Sequence, residues 1–191
     1  MNASSFLVLL FCVSSILADV PVATKCPDGW KWFQRSRGGW CMKGFADTQT
    51  QAGAETKCQA EGARIAGVQN KDEVKWMGST LESLLKSNSV RFWVGAKRTK
   101  LCVKTGITKE CTAANSFYWT DKSTVGNQGF VWQVGEPNNY GGFVGIQSVG
   151  NFENFRDQPC VGMASNLGLM DDLACSDKLP AYICGKVASF N

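Results

Sequence analysis

The sequence predicts an α+β domain: two helices flanking small antiparallel sheets, a long loop region, and four disulfides. Three observations carry this. Of nine cysteines, Cys12 lies in an apolar leader and an even set of eight remains, which in an oxidising compartment reads as a disulfide framework. Two segments have helix caps and helical composition, and the other apolar segments are short runs of strand length around a Gly- and Asn-rich stretch.

Residues 1–18 carry no charged side chain and include the run Phe6-Leu7-Val8-Leu9-Leu10-Phe11-Cys12-Val13 before small residues ending at Ala18. This is the pattern of a secretory signal peptide. The run is shorter than the roughly 18 apolar residues of a membrane span, and no later stretch approaches that length. About 170 residues remain, enough for one domain, expected over residues 26–187. The net charge of +4 comes from scattered Lys and Arg, so composition supports neither a nucleic-acid nor an anionic-membrane partner.

Cys26-Pro27-Asp28-Gly29-Trp30 opens the folded part with a turn, and the aromatic segment up to Cys41 suits a returning hairpin. From Thr50 to Glu61 helix formers dominate; Thr48 or Thr50 offers the N-cap and Gly62 the left-handed stop. Asn70, with Glu73 three residues on, caps a second helix whose Val74, Met77, Leu81 and Leu84 recur at helical spacing and read as core. Strands are expected over Arg91 to Ala96 and Phe117 to Thr120, with Cys102 and Cys111 in the insert between them. Residues 127–159 form a long, weakly periodic loop, and such a loop in a compact domain is usually functional. Strands resume over Cys160 to Met163 and Ala181 to Val187.

The chain contains no histidine. That removes Ser-His and Cys-His nucleophile activation and histidine-ligated zinc. No C-x2-C pair offers a thiolate zinc site either. Gly135-Glu136-Pro137-Asn138-Asn139 and Met170-Asp171-Asp172 instead supply carboxylate and amide oxygens, the hard ligand set that suits calcium. Taken alone, Gly-Glu-Pro-Asn-Asn is also a composition common in surface turns.

The cysteine order, Phe92-Trp93-Val94-Gly95, Phe117-Tyr118-Trp119, Trp132-x-x-Gly135-Glu136-Pro137-Asn138, Gly168-Leu169-Met170-Asp171-Asp172-x-x-Cys175 and Tyr182-Ile183-Cys184 together resemble a C-type lectin domain of the long form. The likeness covers nearly all of the chain after its leader. It implies the disulfides Cys58–Cys184, Cys160–Cys175 and Cys26–Cys41, leaving Cys102 and Cys111 to each other; sequence alone would allow about 105 connectivities.

The resemblance further implies one calcium held by Glu136, Asn138, Gln158, Asp171 and Asp172, with two adjacent sugar hydroxyls completing its coordination. It also implies a cis Glu136–Pro137 bond. Three positions depart from the family pattern: Gln158 stands where Glu is usual, Met170 where Trp is usual and Asp171 where Asn is usual. The set still sums to −3 through Glu136, Asp171 and Asp172, so the charge that attracts calcium is retained. Glu136 and Asn138 present an acceptor and a donor to a hydroxyl, the order the family associates with mannose, glucose or N-acetylglucosamine; members that take galactose write Gln-Pro-Asp there. At Gln158 and Asp171 the amide and carboxylate are inverted. Tyr140 lies where galactose-type members place a ring against the sugar.

The expected function is that of a secreted, extracellular, calcium-dependent lectin for glycans on cell or microbial surfaces, in innate defence. It involves no catalysis, nucleic acid or transmembrane anchor. The rival reading is a lectin-like domain that has lost sugar binding and recognises a protein or another ligand. Paired-carboxylate catalysis by Asp171 and Asp172 is disfavoured, because adjacent strand residues point to opposite faces.

Overall fold

The computed structural model describes residues 23–140 and 157–190; the expected signal peptide lies outside them. In chain order the elements are β1 (Lys31–Arg35), β2 (Gly38–Phe45), α1 (Gln51–Ala60), β3 (Arg64–Ile65), α2 (Lys71–Leu85), β4 (Arg91–Arg98), β5 (Phe117–Trp119), β6 (Cys160–Ala164), β7 (Met170–Leu173) and β8 (Ala181–Val187).

The strands run in the order β1-β2-β8-β4-β6-β7, with β3 on β8 and β5 on β4. Two antiparallel ladders are therefore fused at one short parallel joint, where Phe92 pairs with Ala181 and Trp93 with Tyr182. The joint is buried: Phe92 and Trp93 are fully inaccessible and Tyr182 nearly so. Cores on either side draw on Met42, Met77, Leu81, Val94, Met163 and Ile183, and on Ala54, Ile65, Trp93 and Tyr182.

Both helices start where their caps predict. The Thr50 hydroxyl accepts from the Gly53 N–H at 3.1 Å and the Asn70 side-chain carbonyl from the Glu73 N–H at 3.0 Å, satisfying orphan donors of the first turn. Gly62, at φ +65°, reverses the chain just after α1. The apolar stripe of α2 differs at one position: Leu84 is exposed, and Leu85 packs against the core instead. Glu73 also departs from a simple capping box. Its carboxylate turns inward, accepting from the Gln69 N–H at 2.8 Å and from Arg35 at 2.7 and 2.8 Å.

Arg35 is the hub of a buried ion cluster, pairing at 2.9 Å with Asp121, and all three side chains are inaccessible. Although burial works against it, the Asp121 carboxyl is held below the usual carboxylate range by the Thr124 N–H and Arg35. The cluster ties β1 and α2 to the loop that follows β5. Guanidinium hydrogen bonds to Glu73, Asp121 and the Gly67 carbonyl meet the condition under which buried charge persists.

Among the described residues the eight cysteines form four disulfides: Cys26–Cys41, Cys58–Cys184, Cys102–Cys111 and Cys160–Cys175. This is the pairing the resemblance implies. Cys58–Cys184 fastens α1 to β8 across 126 residues. Cys160–Cys175 ties the start of β6 to the chain just beyond β7, the edge of the sheet where the candidate ligands gather.

Candidate cation and ligand site

The loop that carries Glu136 rests on a stack of aromatic rings. Trp119 lies parallel to Phe130 at 3.8 Å and Phe130 parallel to Trp132 at 5.7 Å, with Phe117 tilted against Trp132 at 5.1 Å. Trp132 donates its indole N–H to the Ala113 carbonyl at 2.9 Å. The Gln133 N–H reaches Met170 O at 2.9 Å and the Met170 N–H reaches Val131 O at 2.7 Å. These bonds seat the loop on the first residue of β7, where buried Met170 fills the core.

Beyond that seat the chain turns through Gly135, at φ +92°, and a cis Glu136–Pro137 bond to Asn139, at φ +55°. Gly and Asn are the residues that tolerate this left-handed backbone. The turn aims two successive N–H groups at one carboxylate. Asn138 donates to Asp172 Oδ1 at 3.0 Å and Asn139 to Asp172 Oδ2 at 2.8 Å. The Asn139 side chain in turn accepts from the Gln158 N–H at 2.9 Å, joining the loop to the segment that leads into β6.

Three of the five expected ligand residues converge. Glu136, Asp171 and Asp172 each place a carboxylate oxygen within 4.8 Å of the others. Asp171 and Asp172 are neighbours on a strand, but β7 is the edge strand of the sheet, and a ligand oxygen of each comes to the same rim. Asn138 Nδ2 donates to Glu136 Oε1 at 2.8 Å, so a donor and an acceptor stand side by side facing the site. Tyr140 is half exposed next to this pair, and its N–H donates to Asn138 Oδ1. Gln158 is buried, and its side-chain oxygen has no hydrogen-bond partner among the described residues.

Crowded carboxylates show in their acidity. Burial, then the hydrogen bond to Asp172 and the charge of Asp171, pushes the Glu136 carboxyl up to about 7. Burial likewise raises Asp171, with Arg91 opposing it. A set of carboxylate oxygens this close together, with no thiolate or imidazole among them, fits a hard cation such as calcium.

Sequence reasoning missed the basic residues that meet these acids. Arg91 pairs with Asp171 at 3.2 Å at the surface. Arg98 pairs with Asp172, both side chains fully inaccessible. Arg98 also donates from Nη1 to Thr105 O at 2.7 Å and from Nε to Gln158 O at 3.2 Å, and its guanidinium lies 4.6 Å from the Phe117 ring centre. β4 runs two residues past its expected end at Ala96, and that extension carries Arg98 into the site. The −3 of the acids is therefore offset by two guanidinium groups, and Asp172 is occupied by one of them. Glu136, Asn138, Gln158 and Asp171 remain as the residues that would hold an ion.

Comparison with known proteins agrees with this architecture. A curated C-type lectin of Micrurus corallinus is 26% identical over 163 residues, 83% of this chain and 82% of its own. A snaclec anticoagulant protein of Deinagkistrodon acutus is 23% identical over 111 residues, 57% of this chain and 64% of that protein, under two thirds of its length. The cow carbohydrate-recognition domain of CD23, solved in the presence of GlcNAc2Man3 oligosaccharide, superposes with a TM-score of 0.59 at 19% identity, covering 87% of this chain and 98% of that one. At that identity the likeness shows the fold. Such domains are in general binding proteins without enzymatic activity, and among the described residues no helix is long and apolar enough to cross a membrane. The pattern described as C-type lectin domain-containing protein 141/158 matches residues 33–184, and the chain belongs to that C-type lectin domain family.

Proposed function

We propose that this protein is a secreted, extracellular binding protein, with residues 1–18 removed as its signal peptide and residues 26–187 forming its domain. In this reading it takes sugar hydroxyls at the rim made by Glu136, Asn138, Gln158 and Asp171. The observation that carries the proposal is the meeting of Glu136, Asp171 and Asp172 around a loop whose Asn138 amide already donates to Glu136. Calcium, when bound, supplies a charge centre to which two vicinal hydroxyls are attracted.

The residues supply direction. A hydroxyl entering between Asn138 and Glu136 accepts from the amide N–H and donates to the carboxylate, replacing one internal bond with two. This polarity supports sugars of the mannose, glucose and N-acetylglucosamine class, and Tyr140 stands half exposed beside the pair. Glycans on cell or microbial surfaces, and a role in innate defence, follow by analogy with the family. A single shallow site binds weakly, so useful avidity requires several sites engaged at once.

A glycan array probed in calcium and in chelator tests the proposal. Retention on mannose-type or N-acetylglucosamine-type glycans that vanishes in chelator supports it. Silence in both conditions contradicts it and favours a second reading, a lectin-like domain for a protein or other ligand. That second reading is supported by the Arg98–Asp172 and Arg91–Asp171 pairs, which neutralise two of the three acids.

A further inference from the structure

Arg98 is placed as a bound metal ion would be. Its side chain is inaccessible, at the end of β4, and its donors fan out to oxygen atoms of three other segments. These are Thr105 O in the disulfide-closed insert, Gln158 O just before β6, and the Asp172 carboxylate on β7. Asp172 passes the connection on, because its two oxygens accept the Asn138 and Asn139 N–H groups at 3.0 and 2.8 Å. The Asn139 side chain then closes the circuit onto the Gln158 N–H at 2.9 Å. The insert also touches the loop directly: a β-carbon added to Gly106 would come 2.5 Å from the Asn138 carbonyl oxygen.

We propose that Arg98 is a built-in cation that holds the Glu136–Asn139 loop in its binding conformation whether or not calcium is present. The ordering of such a loop is work that a loop-bound calcium otherwise performs by drawing oxygen ligands from separate segments onto one charge. A guanidinium does it permanently, since it remains charged and its planar fork presents five donors at fixed angles. Phe117 under the guanidinium face fixes the orientation of the fork. Arg98 is thus a positioning residue, acting on a ligand only through Asp172 and the loop. The inference gives the proposed sugar site a preformed floor, and chelation then removes the attachment point for hydroxyls without unfolding the loop around it. Its significance for ligands rests on the sugar-site reading; the loop-ordering claim itself does not.

Amide hydrogen exchange at Asn138 and Asn139 tests the proposal without any sugar, comparing the protein in calcium and in chelator. For the unaltered protein, protection of both amides should agree within about threefold between the two conditions, as expected for a loop whose local opening energy does not depend on the ion. Arg98→Met should lose about tenfold or more of that protection in chelator and recover part of it in calcium, since Asp172 is then released to ligate the ion. Arg98→Lys, which keeps the charge and loses the fork, should fall between them. If chelator alone lowers protection in the unaltered protein by about tenfold, calcium orders the loop and the inference is overturned. That comparison decides the matter even if Arg98→Met does not fold. Arg98→Met with undiminished protection overturns it as well. Failure of every glycan to bind, with protection unchanged in chelator, would reject the sugar reading and leave this inference standing.

Discussion

Replacing Asp172 with alanine strips a fully buried guanidinium of its counter-ion, so its main effect should be on stability rather than on metal affinity. The carboxylate accepts from Arg98, from the Asn138 N–H at 3.0 Å and from the Asn139 N–H at 2.8 Å, and neither Arg98 nor Asp172 has a side chain accessible to water. Breaking a buried pair by removing one partner typically destabilises by about 3–5 kcal/mol, because the remaining charge is left unsolvated. The two N–H groups lie closer to solvent and add less. For a domain of this size each kcal/mol shifts the midpoint by roughly 2–4 °C, so Asp172→Ala should lower Tm by roughly 6–20 °C. Thermal unfolding followed by near-ultraviolet circular dichroism, with disulfides intact and chelator present, isolates this effect from any bound ion. Asp172→Asn keeps the shape and one acceptor and should show a smaller loss, about 1–3 kcal/mol. A loss below about 1 kcal/mol for Asp172→Ala would mean that water reaches Arg98 and that the burial argument is wrong.

Arg35→Met leaves Glu73 and Asp121 facing each other without their common cation, and should cost about 3–5 kcal/mol in urea unfolding; an unchanged midpoint would remove the cluster from the account of stability. Glu136, raised from 4.5 to about 7, holds a proton in the folded protein that the unfolded chain has released. Metal-free stability from this group therefore declines as pH rises from about 4.5 through about 7. Calcium must displace that proton, so its affinity should climb as pH passes about 7, and calorimetry in two buffers of different ionisation enthalpy should show proton release; identical heats would place Glu136 away from the ion. Gln158→Glu with Asp171→Asn preserves the acid count while reversing polarity at the second hydroxyl, and mannose should gain on galactose in competition assays. Identical sugar ranking in both proteins would remove that pair from specificity.

Elements defined by local chemistry were legible from residues alone. Thr50 and Asn70 cap their helices because the cap is a bond across three residues. Strands β4, β6 and β8 carry apolar runs with their own signature. β7 carries little strand signature of its own, because Met170-Asp171-Asp172-Leu173 places two carboxylates in four residues, a composition disfavoured in sheets; its pairing with β6 and its place at the sheet edge override that preference. The ligand loop was readable as a motif, whereas its cations were not. Arg98 reaches Asp172 across 74 residues and Arg35 reaches Asp121 across 86, and in one dimension a charged residue at a strand end reads as solvated surface. Only the folded chain shows that β4 continues to Arg98 and delivers the guanidinium beneath the loop.

The proposed sugar site stands or falls with the polarity of the Asn138–Glu136 pair. Exchanging the two groups through Glu136→Gln with Asn138→Asp keeps one carboxylate and one amide, so the charge offered to calcium is unchanged while donor and acceptor trade places. Competition between mannose and galactose for the protein immobilised in calcium reads the consequence directly. The account predicts that the unaltered protein prefers mannose and that the exchanged variant prefers galactose; equal ranking in the two, or sugar retention that persists in chelator, would contradict a calcium-dependent site at this loop.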